Sequence, residues 1–319
     1  LIAVVSGGAG FIGSHLCELL VGRGWKVIAI DNFLTGRRSN IAALERSDSF
    51  EIVEADVSKP LPEQVLASPA DVVFHLASPA SPGKSPYSYM SLPFETLRAG
   101  SCGTWTLLDY AKARRAVFVL ASTSEVYGDP EVSPQPESYW GNVNPVGPRA
   151  VYDEAKRFAE ALSSAYAREF GLDVKIARIF NTYGPKMRPD DGRVVSNMVV
   201  QALTGRPLTV YGDGSQTRSF CYIDDMVKGL VRLAESDLNG PCNLGNPSEF
   251  RIIELAELVR QLVPDAPEIT YEPLPPDDPK QRRPDISLAK ERLGWEPKVP
   301  LAEGLKKTIE WYRTELALG

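Results

Sequence analysis

Five short apolar runs punctuate the first 120 residues, at Ile2–Val5, Val27–Ile30, Phe50–Val53, Val72–Leu76 and Val117–Leu120. Each is rich in β-branched residues and bounded by Gly, Asp or Pro, as a buried strand is. Helical patterns separate them at Ser14–Gly22, near Pro62–Ala67 and at Ser101–Arg115. A further helix and strand follow at Val151–Phe170 and Val174–Ile179. Such alternation builds a parallel sheet with helices on both faces. The expected fold class is α/β, with a doubly wound parallel sheet.

From Asn181 the alternation weakens, and Pro, Gly and polar residues become frequent. Ser196–Thr204, Asp224–Glu235, Ile253–Leu262 and Leu301–Glu315 read as amphipathic helices. The segment Pro273–Asp285 is too proline-rich for a helix or a central strand. It reads as a surface linker or a ligand-facing loop.

The first strand runs into GGAGFIGSH, where Gly7, Gly10 and Gly13 open a helix. Glycines there let the chain turn tightly and let a pyrophosphate approach the helix N-terminus. Asp31 ends the second strand, eighteen residues past Gly13. An acid there accepts from adenosine ribose hydroxyls and repels a 2′-phosphate, which favours NAD over NADP. Arg37 and Arg38 lie nearby and read as solvated loop charges. Asp56 and Val57 follow the third strand, where Asp56 either caps a helix or borders the adenine. The sheet is thus expected to be Rossmann-like, with the cofactor held by Gly7, Gly10, Phe11, Ile12, Gly13, Asp31, Asn32, Asp56, Val57, Leu76, Ala77, Tyr152 and Lys156.

Composition narrows the chemistry. The chain has a net charge of -6 and therefore no global attraction for nucleic acid or anionic membrane. Cys17, Cys102, Cys221 and Cys242 are scattered and form no CxxC, so free thiols of a reducing compartment are expected, with no metal. His15 and His75 are the two histidines, too few for a His-based triad or metal site. Acid–base work falls to Tyr, Lys, Glu or Asp. No apolar run approaches the ~20 residues of a membrane span. A cytoplasmic location is expected; the chain opens at Leu1 rather than Met, which leaves an upstream targeting or anchoring segment open.

Tyr152 and Lys156 form YxxxK on a helical segment, so the two share one face. A nearby ammonium lowers a phenol's pKa, which would make Tyr152 a general base. Thr123, Ser124 and Glu125 stand at the C-terminal end of the fifth strand, where open parallel sheets bind ligands.

The motifs GGAGFIGSH, STSEVYGDP, YDEAKRFAE, RIFNTYGP, DGRVVSN, LTVYGDGSQTRSF, YIDD, NLGNP and LGWEP resemble, nearly end to end, the UDP-glucuronate decarboxylase (UDP-xylose synthase) group of the extended short-chain dehydrogenase/reductase superfamily. The resemblance implies NAD-dependent decarboxylation of UDP-glucuronate through a 4-keto intermediate. It implies catalytic roles for Thr123, Ser124, Glu125, Tyr152, Lys156 and Arg218, with Glu125 or a water it orders reprotonating C5. It implies substrate contacts from Asn181 and Asn197 to the sugar or diphosphate, Tyr211 to the uracil, Arg218 to phosphate or carboxylate, and Arg282 to the ribose–phosphate. Related 4,6-dehydratases carry an Asp where this chain has Ser124, so dehydration is disfavoured. The alternatives are a UDP-sugar 4-epimerase, a 4,6-dehydratase, or a non-catalytic NAD-sensing module, which the Tyr152–Lys156 pair opposes. Gly100 departs from the Asn of many relatives, which leaves open how Lys156 is supported. The segment Pro79–Tyr89 is expected to border the sugar pocket. Domains are expected at 1–180 with about 219–246 for NAD, and about 181–218 with 247–319 as a smaller mixed C-terminal substrate domain. A homodimer pairing the helix at Ser101–Arg115 with the Tyr152 helix is also implied.

Overall fold

The structure, a computed structural model, describes residues 1–83, 85–273 and 281–317. The chain runs β1 (Ile2–Ser6), α1 (Phe11–Gly22), β2 (Lys26–Asp31), β3 (Phe50–Glu54), α2 (Glu63–Ala67) and β4 (Val72–His75). It continues through α3 (Pro93–Arg98), α4 (Thr104–Arg114), β5 (Val117–Thr123), α5 (Ala150–Phe170) and β6 (Val174–Ile179). Beyond these lie β7 (Thr182–Tyr183), α6 (Val194–Leu203), β8 (Leu208–Tyr211), β9 (Thr217–Ser219), β10 (Cys221–Tyr222), α7 (Ile223–Ala234) and β11 (Gly240–Leu244). The chain closes with β12 (Glu249–Arg251), α8 (Ile252–Leu262), β13 (Ile269–Glu272), β14 (Gln281–Arg282), α9 (Ser287–Leu293) and α10 (Leu301–Ala317).

Seven strands form one parallel sheet in the order β11-β6-β5-β4-β1-β2-β3. The order reverses between β1 and β4, and a crevice opens at the C-terminal ends of those strands. The pleat sorts side chains onto two cores. Ala3, Val5, Val27, Ala29 and Phe74 join the cluster that includes Leu16 and Leu20 of α1 and Val227 and Val231 of α7. Val4, Ile28, Ile30, Val73, Phe118 and Leu120 join the cluster of Leu107 and Leu108 of α4 and Ala159 and Tyr166 of α5. Strands buried on both faces read as continuous apolar runs, which is why they were legible.

Smaller sheets sit past the crevice. β9 pairs antiparallel with β12 and parallel with β14, setting Arg282 opposite Arg218. β8 pairs with β13, and β7 with β10, each in parallel. Residues 274–280 of the proline-rich segment lie outside the described residues, as does Lys84 of the Pro79–Tyr89 segment. No helix among the described residues is long and apolar enough to cross a membrane.

The helix expected at Ser101–Arg115 starts earlier than expected. Pro93 opens α3 at a position where its missing N–H is harmless. A π-turn over Ala99–Gly103 then joins α3 to α4. Gly100 lies within that turn, where a Cβ would stand 2.8 Å from the Ala155 Cβ and 2.9 Å from the Ala155 carbonyl oxygen. The helix therefore approaches α5 closely because residue 100 has no side chain. Gly100→Ala is expected to cost about 1–3 kcal/mol, read as a lower urea midpoint. An unchanged midpoint would show that the two helices can separate freely.

Candidate active site

The glycine turn after β1 is built for a ligand. Gly7 has φ +75 and donates to the Ile30 carbonyl at 2.7 Å. A Cβ on Gly7 would come within 2.8 Å of the Ala77 amide nitrogen, and one on Gly13 would run into the Gly7 carbonyl. The α1 N-cap is Gly10, which offers no side-chain cap. The first-turn N–H groups at Phe11, Ile12 and Gly13 thus have no side-chain cap, and all three residues line a cavity of about 680 Å³. Bare amides at a helix N-terminus are the donor set a pyrophosphate takes.

A second cavity of about 110 Å³ shares Gly7, Gly10 and Leu76 with the first and is also lined by Asp31, Asn32, Asp56, Val57 and Ala77. Asp31 is buried, and its oxygens accept from the Ala9 amide at 2.9 Å and the Phe33 amide at 2.8 Å. Burial raises its pKa, while the two amides oppose the rise. Each oxygen keeps a lone pair for a hydroxyl donor. Asp56 accepts from the Ser58 amide at 2.9 Å and hydroxyl at 2.8 Å, so it is a turn residue that also borders this cavity. These residues suit the ribose and adenine of a dinucleotide.

Of the two arginines nearby, Arg38 is the exposed loop charge expected and Arg37 is not. Arg37 pairs with Glu315 of α10, bonds Asn40 at 3.3 Å and lies 5.7 Å from the Trp311 ring. Arg38 bonds Glu45 at 3.2 Å and Glu54 at 2.8 Å and covers the Phe33 ring. Sequence distance hid the Arg37 ion pair, since Glu315 lies 278 residues away.

Thr123, Ser124, Glu125, Tyr152 and Lys156 all meet in the large cavity. Tyr152 is 7% exposed, neighbours Thr123 in hydrogen-bonding range, and stacks on Tyr89 with ring centroids 4.9 Å apart. Lys156 donates to the Ala121 carbonyl at 2.7 Å, and its Nζ lies 5.7 Å from the Tyr152 ring centroid. The expected lowering of the phenol by Lys156 is not what the site does. Burial pushes Tyr152 up to about 12, and Arg193 and Thr123 pull it back. Burial likewise pushes Lys156 down to about 8. Both shifts favour the neutral forms, as desolvation does.

Glu125 sits between two guanidinium groups, Arg149 at 2.8 Å and Arg282. Burial alone would raise its pKa, but those cations outweigh burial and hold it down to about 2. A carboxyl so held is ionised at neutral pH. Arg282 is 4% exposed and also donates to the Gly128 carbonyl at 3.0 Å. It lies in the cavity, anchored on Glu125.

Asn181, Asn197, Tyr211 and Arg218 line the far end of the same cavity. Asn197 donates to the Gly192 carbonyl at 3.0 Å, and Arg218 to the Thr217 carbonyl at 2.8 Å. Tyr89, Tyr87 and Ala80 to Gly83 of the Pro79–Tyr89 segment line the cavity as expected, whereas sequence reasoning missed Arg149 and Arg193, which also line it, and Asp153 behind it. Arg193 is held by both oxygens of Asp191 at 2.8 Å and donates to the Ala80 carbonyl at 2.6 Å. It lies in the quoted motif DGRVVSN, so a signal was present. Asp153 is 6% exposed, and its Oδ1 has no partner among the described residues. Burial, with Glu125 nearby, pushes its pKa up to about 7.

Residues 3–245 match the model of the NAD dependent epimerase/dehydratase family. UDP-glucuronic acid decarboxylase 1 of Xenopus tropicalis is 52% identical over 313 residues, 98% of this chain and 72% of that protein. A UDP-glucose 4-epimerase of Thermotoga maritima, solved with UDP-glucose, superposes with a TM-score of 0.89 at 30% identity, covering 99% of this chain and 100% of that one. A UDP-glucuronic acid 4-epimerase of Bacillus cereus, solved with NAD, superposes with a TM-score of 0.85 at 30% identity, covering 99% of each chain.

The carboxyl of Asp153 carries a pH signature. Its folded pKa lies above the ordinary value near 3.9, so the folded state binds the proton more tightly. Stability from this group is present below about pH 4 and is lost as pH rises to about 7. Asp153→Asn removes that loss. Its stability relative to the parent should grow between pH 5 and pH 8, by on the order of 2 kcal/mol in urea unfolding. A difference that does not change with pH would show that Asp153 is ionised throughout.

Proposed function

The chain belongs to the NAD dependent epimerase/dehydratase family, and we propose that it converts UDP-glucuronate to UDP-xylose and CO₂. The carrying observation is the acid–base character of Thr123-Ser124-Glu125. Ser124 is 3% exposed and uncharged, and Glu125 is pinned as a carboxylate. Neither can protonate a leaving hydroxyl, as a dehydratase requires. Loss of CO₂ needs no such acid, and a neutral Ser124 admits a substrate carboxylate without repulsion.

NAD suits the glycine turn, Asp31 and the small cavity, and when bound it supplies the reversible two-electron oxidation at sugar C4 and a positive charge that favours phenolate. Tyr152 takes the proton of the C4 hydroxyl, with Thr123 bonded to the same oxygen. A 4-keto group makes the C6 carboxylate a β-keto acid. The C5–C6 bond breaks, and its electron pair moves to the C4 oxygen, where Tyr152, Thr123 and Lys156 stabilise the charge. C5 then takes a proton from a water ordered by the Glu125 carboxylate, which leaves hydroxide to solvent, and as the oxidation at C4 reverses, Tyr152 returns its proton to the C4 oxygen to give the xylose hydroxyl. Asn181, Asn197, Tyr211 and Arg218 hold the nucleotide diphosphate, and Arg282 keeps Glu125 ionised beside it.

Assembly is the second part of the proposal. Phe94 and Leu97 of α3, Trp105 of α4 and Phe158 of α5 are 67%, 39%, 51% and 44% exposed. Four large apolar side chains on helices that pack together suit a homodimer formed through this face.

Incubation with UDP-glucuronate and NAD should give UDP-xylose in the proton NMR spectrum with no net NADH. Tyr152→Phe should slow turnover by about 10²–10⁴-fold. UDP-galacturonate as product would replace the decarboxylase reading by an epimerase one. Trp105→Glu should convert a dimer to a monomer by light scattering while the chain stays folded; an unchanged mass would place the interface elsewhere.

A further inference from the structure

The ammonium of Lys156 is held by a backbone carbonyl of β5. It donates to the Ala121 carbonyl at 2.7 Å. Glu160 follows four residues later on the same face of α5. Its Oε1 accepts from the Ser122 hydroxyl at 2.6 Å. Two side chains one turn apart on α5 thus seat on consecutive residues of β5. Glu160 is gripped from β6 as well. Arg178 donates from Nε to Oε1 at 3.0 Å and from Nη2 to Oε2 at 2.8 Å. Arg178 is itself fixed, bonding the Tyr127 hydroxyl at 3.0 Å and the Glu137 carbonyl at 3.0 Å. Tyr127 in turn donates to Asn243 on β11 at 2.8 Å. Neither Glu160 nor Arg178 lines the cavity.

We propose that Glu160, clamped by Arg178 and Ser122, is a positioning residue: it seats α5 on β5 so that Lys156 meets Tyr152, and it sets a partly buried carboxylate one helical turn from the Lys156 side chain. The proposal rests on the catalytic reading of Tyr152 and Lys156. The groups facing Lys156 are His75 from β4 and Tyr152 and Glu160 from α5. His75 bonds Ser6 at 2.8 Å and Thr104 at 3.1 Å, and burial with the Lys156 charge keeps it neutral, at about 3. Tyr152 is neutral for the reasons given. Burial drives Lys156 down to about 8, and Glu160 opposes that fall. Loss of the Glu160 charge moves the lysine further toward the free amine, so function that needs the ammonium fails at lower pH.

The test is Glu160→Gln, with two measurements. One is the pH midpoint for amine labelling of Lys156, read by peptide mass spectrometry on protein without substrate. The other is the basic limb of UDP-glucuronate turnover. Both should move down by about one pH unit, with KM near the parent value because Glu160 touches no ligand. Ser122→Ala keeps the ion pair and should leave both midpoints in place. Glu160→Gln strands a buried guanidinium and loses stability, so Glu160→Gln/Arg178→Gln is made beside it and should show the same downward shift. Should neither fold, Glu160→Asp decides, since it keeps the charge but withdraws it by one methylene; a lowered labelling midpoint is expected. An unmoved labelling midpoint in any folded Glu160 variant overturns the proposal. A lowered midpoint in a protein that turns over no sugar nucleotide leaves the Glu160 role standing and sinks the functional reading instead.

Discussion

The carboxylate of Glu125 ties together three parts of the chain that are far apart in sequence. It follows β5, and it takes Arg149 from the start of α5 and Arg282 from β14, 157 residues away. Removing one partner of a buried pair leaves an uncompensated charge, so such a triad is kept or lost as a unit. Here it brings β14, and with it the neighbouring strand that carries Arg218, over the cavity. It also fixes the acid–base inventory of the site. A carboxyl with two guanidinium partners accepts hydrogen bonds and orders water, and it gives no proton at neutral pH.

Desolvation sets the state of the other ionisable groups. Tyr152, Lys156 and Asp153 are all buried, and burial is the largest influence on each. It moves each toward its uncharged form. The site at rest is therefore a neutral phenol beside a lysine close to its titration range. Charge arriving with ligands acts strongly in such a setting because little water screens it. A motif-level account gives Lys156 the task of activating Tyr152. In the folded chain Arg193 is the cation that draws the phenol's pKa back down, and Glu160 opposes the fall of Lys156.

Much of this was legible before folding. The strands β1 to β6 lie within a few residues of the apolar runs, because burial on both faces leaves no polar interruption to blur their ends. The glycine turn was legible because only glycine fits where backbones nearly touch. α3 lies outside the expected Ser101–Arg115 helix because its six residues, opened by Pro93, are too few to show a helical period. The two- to four-residue strands that carry Arg218, Tyr211 and Arg282 were missed because so short a run has no period. Arg37 was misjudged because its partner lies on α10.

The sequence by itself determined the α/β class, the parallel sheet, the dinucleotide turn and the residue types Thr123, Ser124, Tyr152 and Lys156. These follow from local patterns of burial, backbone freedom and helix spacing. Only the tertiary structure decided which charge meets which. It gave Glu125 to Arg149 and Arg282, set Glu160 behind Lys156, and left Asp153 buried next to a carboxylate. Protonation depends on burial and on neighbours brought from distant segments, and neither is written in the spacing of a motif.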